Sequence, residues 1–215
     1  MGIFARTPVP GKAKTRLIPL LGPRAAAEFH TALIRDTLRK VDALSGCVSR
    51  YFFLAGRNFP TLSAHYRLVR QRGAGLGARL ENAFRRLLRS HSCAVVIGTD
   101  SPSLPPRVLH EALSELQVCD AVLGPCTDGG YYLIGLRLLS TGLLRGIRWG
   151  TAFAFRDTLR NLLWHGYSCS ILEPWSDVDV LSDIRRLKKE LARSRAARRL
   201  APAAWRFLKA FEPAG

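Results

Sequence analysis

Cys93 to Pro106 reads C-A-V-V-I-G-T-D-S-P-S-L-P-P. Its first half, Ala94 to Gly98, is a short β-branched apolar run without alternation, the pattern of a strand buried on both faces of a sheet. Pro105 and Pro106 suit the first turn of a helix, where a missing N–H costs nothing, and that helix reads through Leu116. Working outward, strand-like and helix-like stretches alternate. Upstream lie Gly2 to Ala5 as a strand end, a helical period from Pro23 to Leu44 (Phe29, Leu33, Leu38, Val41), a strand over Tyr51 to Ala55, a short one at Leu68 and Val69, and a helix from Leu76 to Leu88. Downstream come strands at Ala121 to Gly124 and Tyr131 to Leu136, a helix from Thr151 to Trp164, a strand from Ser168 to Leu172 and a helix from Leu181 to Leu191. The basic, Ala-rich tail from Arg193 to Phe211 reads as one more helix. This alternation predicts an α/β fold with a mostly parallel sheet covered on both faces, which binds ligands at the carboxyl ends of its strands.

The chain has 215 residues and a formal charge of +17, most of it from Arg. That length fits one domain, read as residues 1–192 with a basic helical extension over 193–215. The charge favours anionic partners such as nucleotides, nucleic acid or acidic lipids, unless the arginines are scattered without purpose. Cys47, Cys93, Cys119, Cys126 and Cys169 form no C-x-x-C pair, which argues against a disulfide framework or a zinc knuckle and fits a reducing compartment. No apolar run approaches the roughly 20 residues of a membrane span. The first residues lack the order of a signal peptide, so a cytoplasmic location is expected.

The loops after the strands carry the chemistry. Phe4 to Leu17 (FARTPVPGKAKTRL) places Arg6, Lys12, Lys14 and Arg16 around Gly11, which lets the backbone approach a ligand; point charges and forked guanidiniums of this kind suit a phosphate chain. The spacing is not that of a P-loop. Asp100 ends a buried strand, where a carboxylate is costly unless cations or donors face it, and Mg²⁺ (or Mn²⁺) shared with substrate phosphates is the favoured partner. The other reading makes Asp100 a helix cap, a role Ser103 could fill. Asp128-Gly129-Gly130 is a tight turn that delivers Asp128 to the ligand edge, with two glycines leaving bare backbone for a substrate beside Tyr131. Asp177 and Asp179, two residues apart just after a strand, can point one into the site and one away, with Asp183 a first-turn charge. Gln71 to Leu80 (QRGAGLGARL), with Gly73, Gly75 and Gly77, is a glycine stretch able to cover a base or ribose.

Together, FARTPVPGKAKTRL, QRGAGLGARL, GTDSPSLP, LGPCTDGGYYLIGL and DVDVLSDI resemble the bacterial glycosyltransferase-A-like proteins long catalogued without a function, relatives of the molybdenum-cofactor and phospholactate guanylyltransferases. The resemblance runs from Ile3 to about Leu187. It implies a nucleotide-diphosphosugar-transferase (GT-A) fold, a Rossmann-like αβα sandwich with a mixed, mainly parallel sheet. By match of motif it places Lys14 and Arg16 on the nucleotide phosphates, Gly73 to Gly77 near the base, Asp100 and Asp179 on the metal, and Asp128 with Tyr131 in the acceptor or sugar pocket. The chain departs from the pattern at Arg6, where Lys is usual, and at Val180 and Leu181, where Thr and Pro are usual. The family's first strand also starts several residues earlier, so with only Met1 to Ala5 of that central strand either the start is misassigned or the sheet has lost ladder bonds.

The leading expectation is a Mg²⁺-dependent glycosyltransferase that uses a nucleotide-sugar donor and a small-molecule acceptor, with Asp128 taking the acceptor's proton. Nucleotidyl transfer with release of pyrophosphate is the near alternative. A basic nucleic-acid-binding protein is a third reading, against which stands the lack of an RNA motif, zinc finger or helix-turn-helix. An inactive family member is a fourth.

Overall fold

The computed structural model describes residues 1–46, 48–57, 59 and 62–211. Cys47 and the last four residues of the expected extension lie outside them. Ala94–Ile97 forms a strand with every residue buried, as its unbroken apolar run requires. In chain order the strands are β1 (Gly2–Arg6), β2 (Arg50–Ala55), β3 (Tyr66–Arg70), β4 (Ala94–Ile97), β5 (Ala121–Pro125), β6 (Tyr131–Leu136) and β7 (Cys169–Ile171). They make one sheet in the order β3-β2-β1-β4-β6-β5-β7. Only β6 runs antiparallel to its neighbours, because it returns from β5 through a hairpin. The sheet is thus mixed and mainly parallel, and the fold is α/β of the Rossmann-like kind.

The helices are α1 (Ile18–Asp42), α2 (Leu76–Leu87), α3 (Pro106–Glu115), α4 (Ala154–Trp164), α5 (Leu181–Arg193), α6 (Arg195–Leu200) and α7 (Pro202–Ala210). α1 is kinked at Gly22, whose φ of 76° is left-handed, so its regular part starts at Pro23. Alternate strand residues feed two cores. Phe52, Leu54, Val95 and Ile97 face α1 and α3. Tyr51, Phe53, Val96 and Ile134 face α2 and α4. A third cluster joins the outer side of α1 (Phe29, Leu33) to α5, α6 and α7 through Leu187, Ala204 and Leu208.

The tail holds two helices, not the single one expected. Ala201 leaves helical geometry, Pro202 restarts the chain as α7, and Ser194 caps α6 by accepting from the N–H of Ala197. The open N–H groups of α7 are met from far away. Asp36, fully buried in α1, accepts from Ala203 at 2.9 Å and Ala204 at 2.8 Å. Covered on both sides, α1 also buries Lys40, which donates to Ser101 O at 3.3 Å just behind the end of β4.

β1 is central. It pairs with β2 along five residues and with β4 along two. Strand order reverses between β1 and β4. There the following chains leave in opposite directions and open a crevice at the carboxyl ends.

Candidate active site

That crevice holds a cavity of about 680 Å³, lined by Arg6, Lys12, Lys14, Arg16, Asp100 and Asp179 among others. Its cationic wall comes from the loop after β1. Val9 O accepts from the N–H groups of Lys12 and Ala13, and a 3-10 turn follows over Thr15–Leu17. Gly11 allows the turn with φ of 79° but is not among the lining residues. Lys14 has φ of 47°, the one non-glycine residue with positive φ among those described. Such a conformation costs about 1–3 kcal/mol and persists where surrounding contacts enforce it.

The contacts are plain. Lys14 Nζ stands 2.7 Å from Asp100 Oδ1 and 2.6 Å from Asp179 Oδ1, and donates to Val178 O at 2.6 Å. Two hydrogen bonds, to Asp179 and Val178, and an ion pair with Asp100 engage the ammonium. Lys14 therefore binds the two carboxylates together, and its donors are engaged there rather than held out toward a phosphate. Its side chain is 6% exposed. Burial acts to lower its pKa, but Asp100 and Asp179 outweigh that and raise it. Burial likewise acts to raise Asp100, and Lys14, with His30 and Arg6 behind it, holds that carboxyl below the ordinary range. The backbone reinforces the pair, since Val178 N donates to Asp100 O at 2.9 Å.

Asp100 is not a helix cap, and Ser103 does not fill that role. Ser103 Oγ instead accepts from Trp175 Nε1 at 3.2 Å, and α3 starts at the proline pair without a side-chain cap.

Beyond Asp179 the wall is acidic. Cys126 pairs with Trp175 as a parallel bridge, and Thr127 N donates to Trp175 O, which lays the β5–β6 hairpin along the segment that carries Asp177. One ligand atom each from Cys126, Asp128 and Asp177 lies within 4.8 Å of the others. Asp177 and Asp179 both line the adjoining small cavities with Arg16 and Asp128, so a split of one inward and one outward carboxylate does not occur. Asp177 and Asp179, two residues apart, share one face, and buried Val178 between them points into the third core cluster. Burial, then the nearby Asp128, Asp179 and Asp100, push Asp177 up to about 6. Asp183 accepts from the N–H groups of Asp179 and Val180, both at 2.9 Å, and so fixes the start of α5.

The glycines divide. Asp128 Oδ1 accepts from Gly130 N at 2.8 Å, which closes the hairpin turn, and Gly130 lines the cavity beside Tyr131. Gly129 leaves no room for a substrate. A Cβ there would overlap the backbone of Ala152, and Gly129 O accepts from Phe155 N. Gly75 lines the main cleft with Gln71, Leu76 and Arg79. Gly73 and Gly77 do not. A Cβ on Gly73 would meet Ala78, and one on buried Gly77 would stand 2.6 Å from Trp149 Nε1, so both serve packing around α2. Tyr131 lines both cavities and meets Trp149 edge-on at 6.0 Å, and burial raises its phenol pKa.

His30 is a cleft residue that sequence reasoning missed. Its Nε2 lies 3.0 Å from Arg6 O, so the neutral ring carries its proton there and leaves Nδ1 as a buried acceptor without a protein partner. Burial lowers its pKa. It sits in the middle of α1, with no local pattern to separate it from a core residue.

Among solved structures the chain is similar to a protein of Desulfovibrio desulfuricans G20 described as a "putative nucleotide-diphospho-sugar transferase", at 28% identity and a TM-score of 0.87, over 97% of this chain and 92% of that one. It also resembles the 4-diphosphocytidyl-2C-methyl-D-erythritol synthase of Anaerococcus prevotii (TM-score 0.57, 7% identity, 89% and 97% covered). A third likeness is to the 2-C-methyl-D-erythritol 4-phosphate cytidylyltransferase of Thermus thermophilus (0.51, 17%, 90% and 98%). At those identities the two cytidylyltransferases speak for the fold alone. No curated protein matches the chain. A family model does match, over residues 37–151, just over half of the sequence, and the chain belongs to that family, described as "Uncharacterized protein conserved in bacteria (DUF2064)".

Proposed function

We propose that the protein is a divalent-cation-dependent transferase that moves a sugar from a nucleotide-linked donor to a hydroxyl-bearing small-molecule acceptor. One observation carries this reading. Asp100 and Asp179 meet at the strand-order reversal, facing a loop that offers Arg6, Lys12 and Arg16 across a cleft of nucleotide size. The description of the Desulfovibrio protein supports the sugar-nucleotide assignment.

The residues fit a divalent ion. Asp100, Asp128, Asp177 and Asp179 line one continuous wall, against Lys14 inside and Arg16 at the rim. Burial is the larger cause of the upward push on Asp177, and the neighbouring carboxylates Asp128, Asp179 and Asp100 add to it. Oxygen donors of this kind suit Mg²⁺ or Mn²⁺, held by one or two carboxylates and substrate phosphates. Asp100 and Asp179 would hold the ion, which supplies positive charge opposite the departing diphosphate.

Arg6, Lys12 and Arg16 bind and orient the diphosphate, and their fixed charges favour its departure. Lys14 acts differently from the expectation of a phosphate contact. It positions the two carboxylates. Gly75 and Leu76 form the edge over which the base or ribose lies. Asp128 takes the acceptor's proton, with Asp177 beside it tuned closer to neutral pH. Tyr131 and Gly130 shape the sugar pocket. The thiols of Cys93, Cys119, Cys126 and Cys169 are free, which fits a reducing cytoplasmic setting. Among the described residues no helix is long and apolar enough to cross a membrane.

Incubation with Mn²⁺ and a panel of nucleotide sugars and nucleoside triphosphates tests the proposal. A nucleoside diphosphate should be released from one of the sugars, and Asp100→Asn should abolish the release. Pyrophosphate from a triphosphate would replace this reading with nucleotidyl transfer.

A further inference from the structure

A second basic cavity lies outside the cleft. Arg70 and Arg72, at and just past the end of edge strand β3, face Arg79 and Arg86 of α2 and Arg89 beyond it across a groove of about 480 Å³. Positions 79, 82 and 86 of α2 repeat at helical pitch, so they share one face. Phe53 and Val69 contribute apolar lining. Arg85 on the rim is paired with Glu81 at 2.7 Å, and among the described residues none of the other five has a carboxylate partner.

The walls are tied in place. Asn82 Nδ2 donates to Arg72 O at 3.0 Å, Arg79 Nε to Gly73 O at 3.1 Å, and Gln71 Nε2 to Ala5 O and Phe53 O at 3.0 and 2.9 Å. Charges on an edge strand guard it against pairing with other chains. That accounts for Arg70 and leaves Arg86 on the helix and Arg89 just past its end without a reason.

We infer that this groove is a second anion site, built for a small molecule that carries two or more phosphates. Five uncompensated guanidiniums repel one another until an anion joins them, and their forks match phosphate oxygens two at a time. The volume is that of a small-molecule pocket. Gln71 and Arg79 line both this groove and the main cleft, so a ligand here touches two walls that the first site uses. The inference does not depend on the transferase reading.

Calorimetric titration of the full chain with inorganic tripolyphosphate, without divalent ions and at low salt, tests it. The wild type should bind two equivalents, one in each basic cavity. The double substitution Arg86→Glu with Arg89→Glu should weaken one of them at least tenfold, about 1.4 kcal/mol, and leave the other. Arg16→Ala should do the reverse. Arg86→Gln with Arg89→Gln separates loss of charge from its reversal and should cause a smaller loss at the same site. Circular dichroism confirms that each variant is folded. A single equivalent weakened only by Arg16→Ala, or two equivalents untouched by the Arg86 and Arg89 substitutions, would overturn the inference. So would a short single-stranded oligonucleotide that binds more than tenfold tighter than tripolyphosphate and is lost in the Glu variant, since the groove would then serve a nucleic-acid strand.

Discussion

Replacing Lys14 with Met keeps the length of the side chain and removes the charge that joins Asp100 to Asp179. The ammonium lies 2.7 and 2.6 Å from the two carboxylates, and its side chain is 6% exposed. Breaking a buried pair by removing one partner costs about 3–5 kcal/mol. The carboxylates are 43% and 37% exposed, and solvent screens them, so about 2–3 kcal/mol is expected here at pH 7. The pH dependence follows from Asp100, whose pKa the lysine holds down. A depressed carboxyl stabilises the fold above its unfolded pKa, and the stabilisation fades as pH falls through the folded value. Wild type and variant should therefore differ most at neutral pH and converge under acid conditions. Urea unfolding at pH 7 and at about pH 2, below the ordinary carboxyl value of 3.8, reads this directly. Millimolar Mn²⁺ should restore more stability to Lys14→Met than it adds to the wild type, because the bare carboxylates recruit the ion. A loss below about 0.5 kcal/mol at pH 7, the level of an ordinary surface substitution, or an equal loss at both pH values, would refute the reasoning.

Asp36→Ala should cost about 1–3 kcal/mol in urea unfolding, since it leaves the N–H groups of Ala203 and Ala204 without their buried acceptor, and Asp36→Asn should cost less. Gly77→Ala should destabilise by about 1–3 kcal/mol and alter tryptophan fluorescence, because its methyl would press on Trp149. Burial lowers Lys40 to about 8 from 10.5, so the unfolded chain binds more protons between those values and wild-type stability should rise with pH across them. Lys40→Met should then be more stable at pH 7 by about 1–3 kcal/mol, a gain that disappears above pH 10.5 in the same unfolding assay.

Elements whose residues carry one signal were readable from the sequence. The unbroken apolar run of β4 and the double proline of α3 each point one way, and the Asp-Gly-Gly turn marks the hairpin that makes β6 antiparallel. The Asp100–Lys14 meeting was foreseen as a cleft, because loops that follow neighbouring parallel strands must share an edge. What Lys14 does there was not. Whether a lysine contacts a phosphate or a carboxylate depends on a left-handed backbone angle and on a segment 164 residues away. A split of Asp177 from Asp179 fails because residues two apart along an extended chain share a face, and Val178 between them is the one turned to the core. The glycines misled for another reason. A missing side chain looks the same in sequence whether a substrate, Trp149 or Ala152 fills the space. His30, Asp36 and Lys40 share one helix, and only its contacts with Arg6, with α7 and with Ser101 show that all three are buried.

Calorimetric titration of nucleoside diphosphates with and without Mn²⁺, on the wild type and on Asp100→Asn, tests the central claim most directly. At the cleft site, the equivalent that Arg16→Ala weakens, affinity should fall at least tenfold when either the ion or the Asp100 carboxylate is removed. Equal affinity in all three conditions would contradict the account.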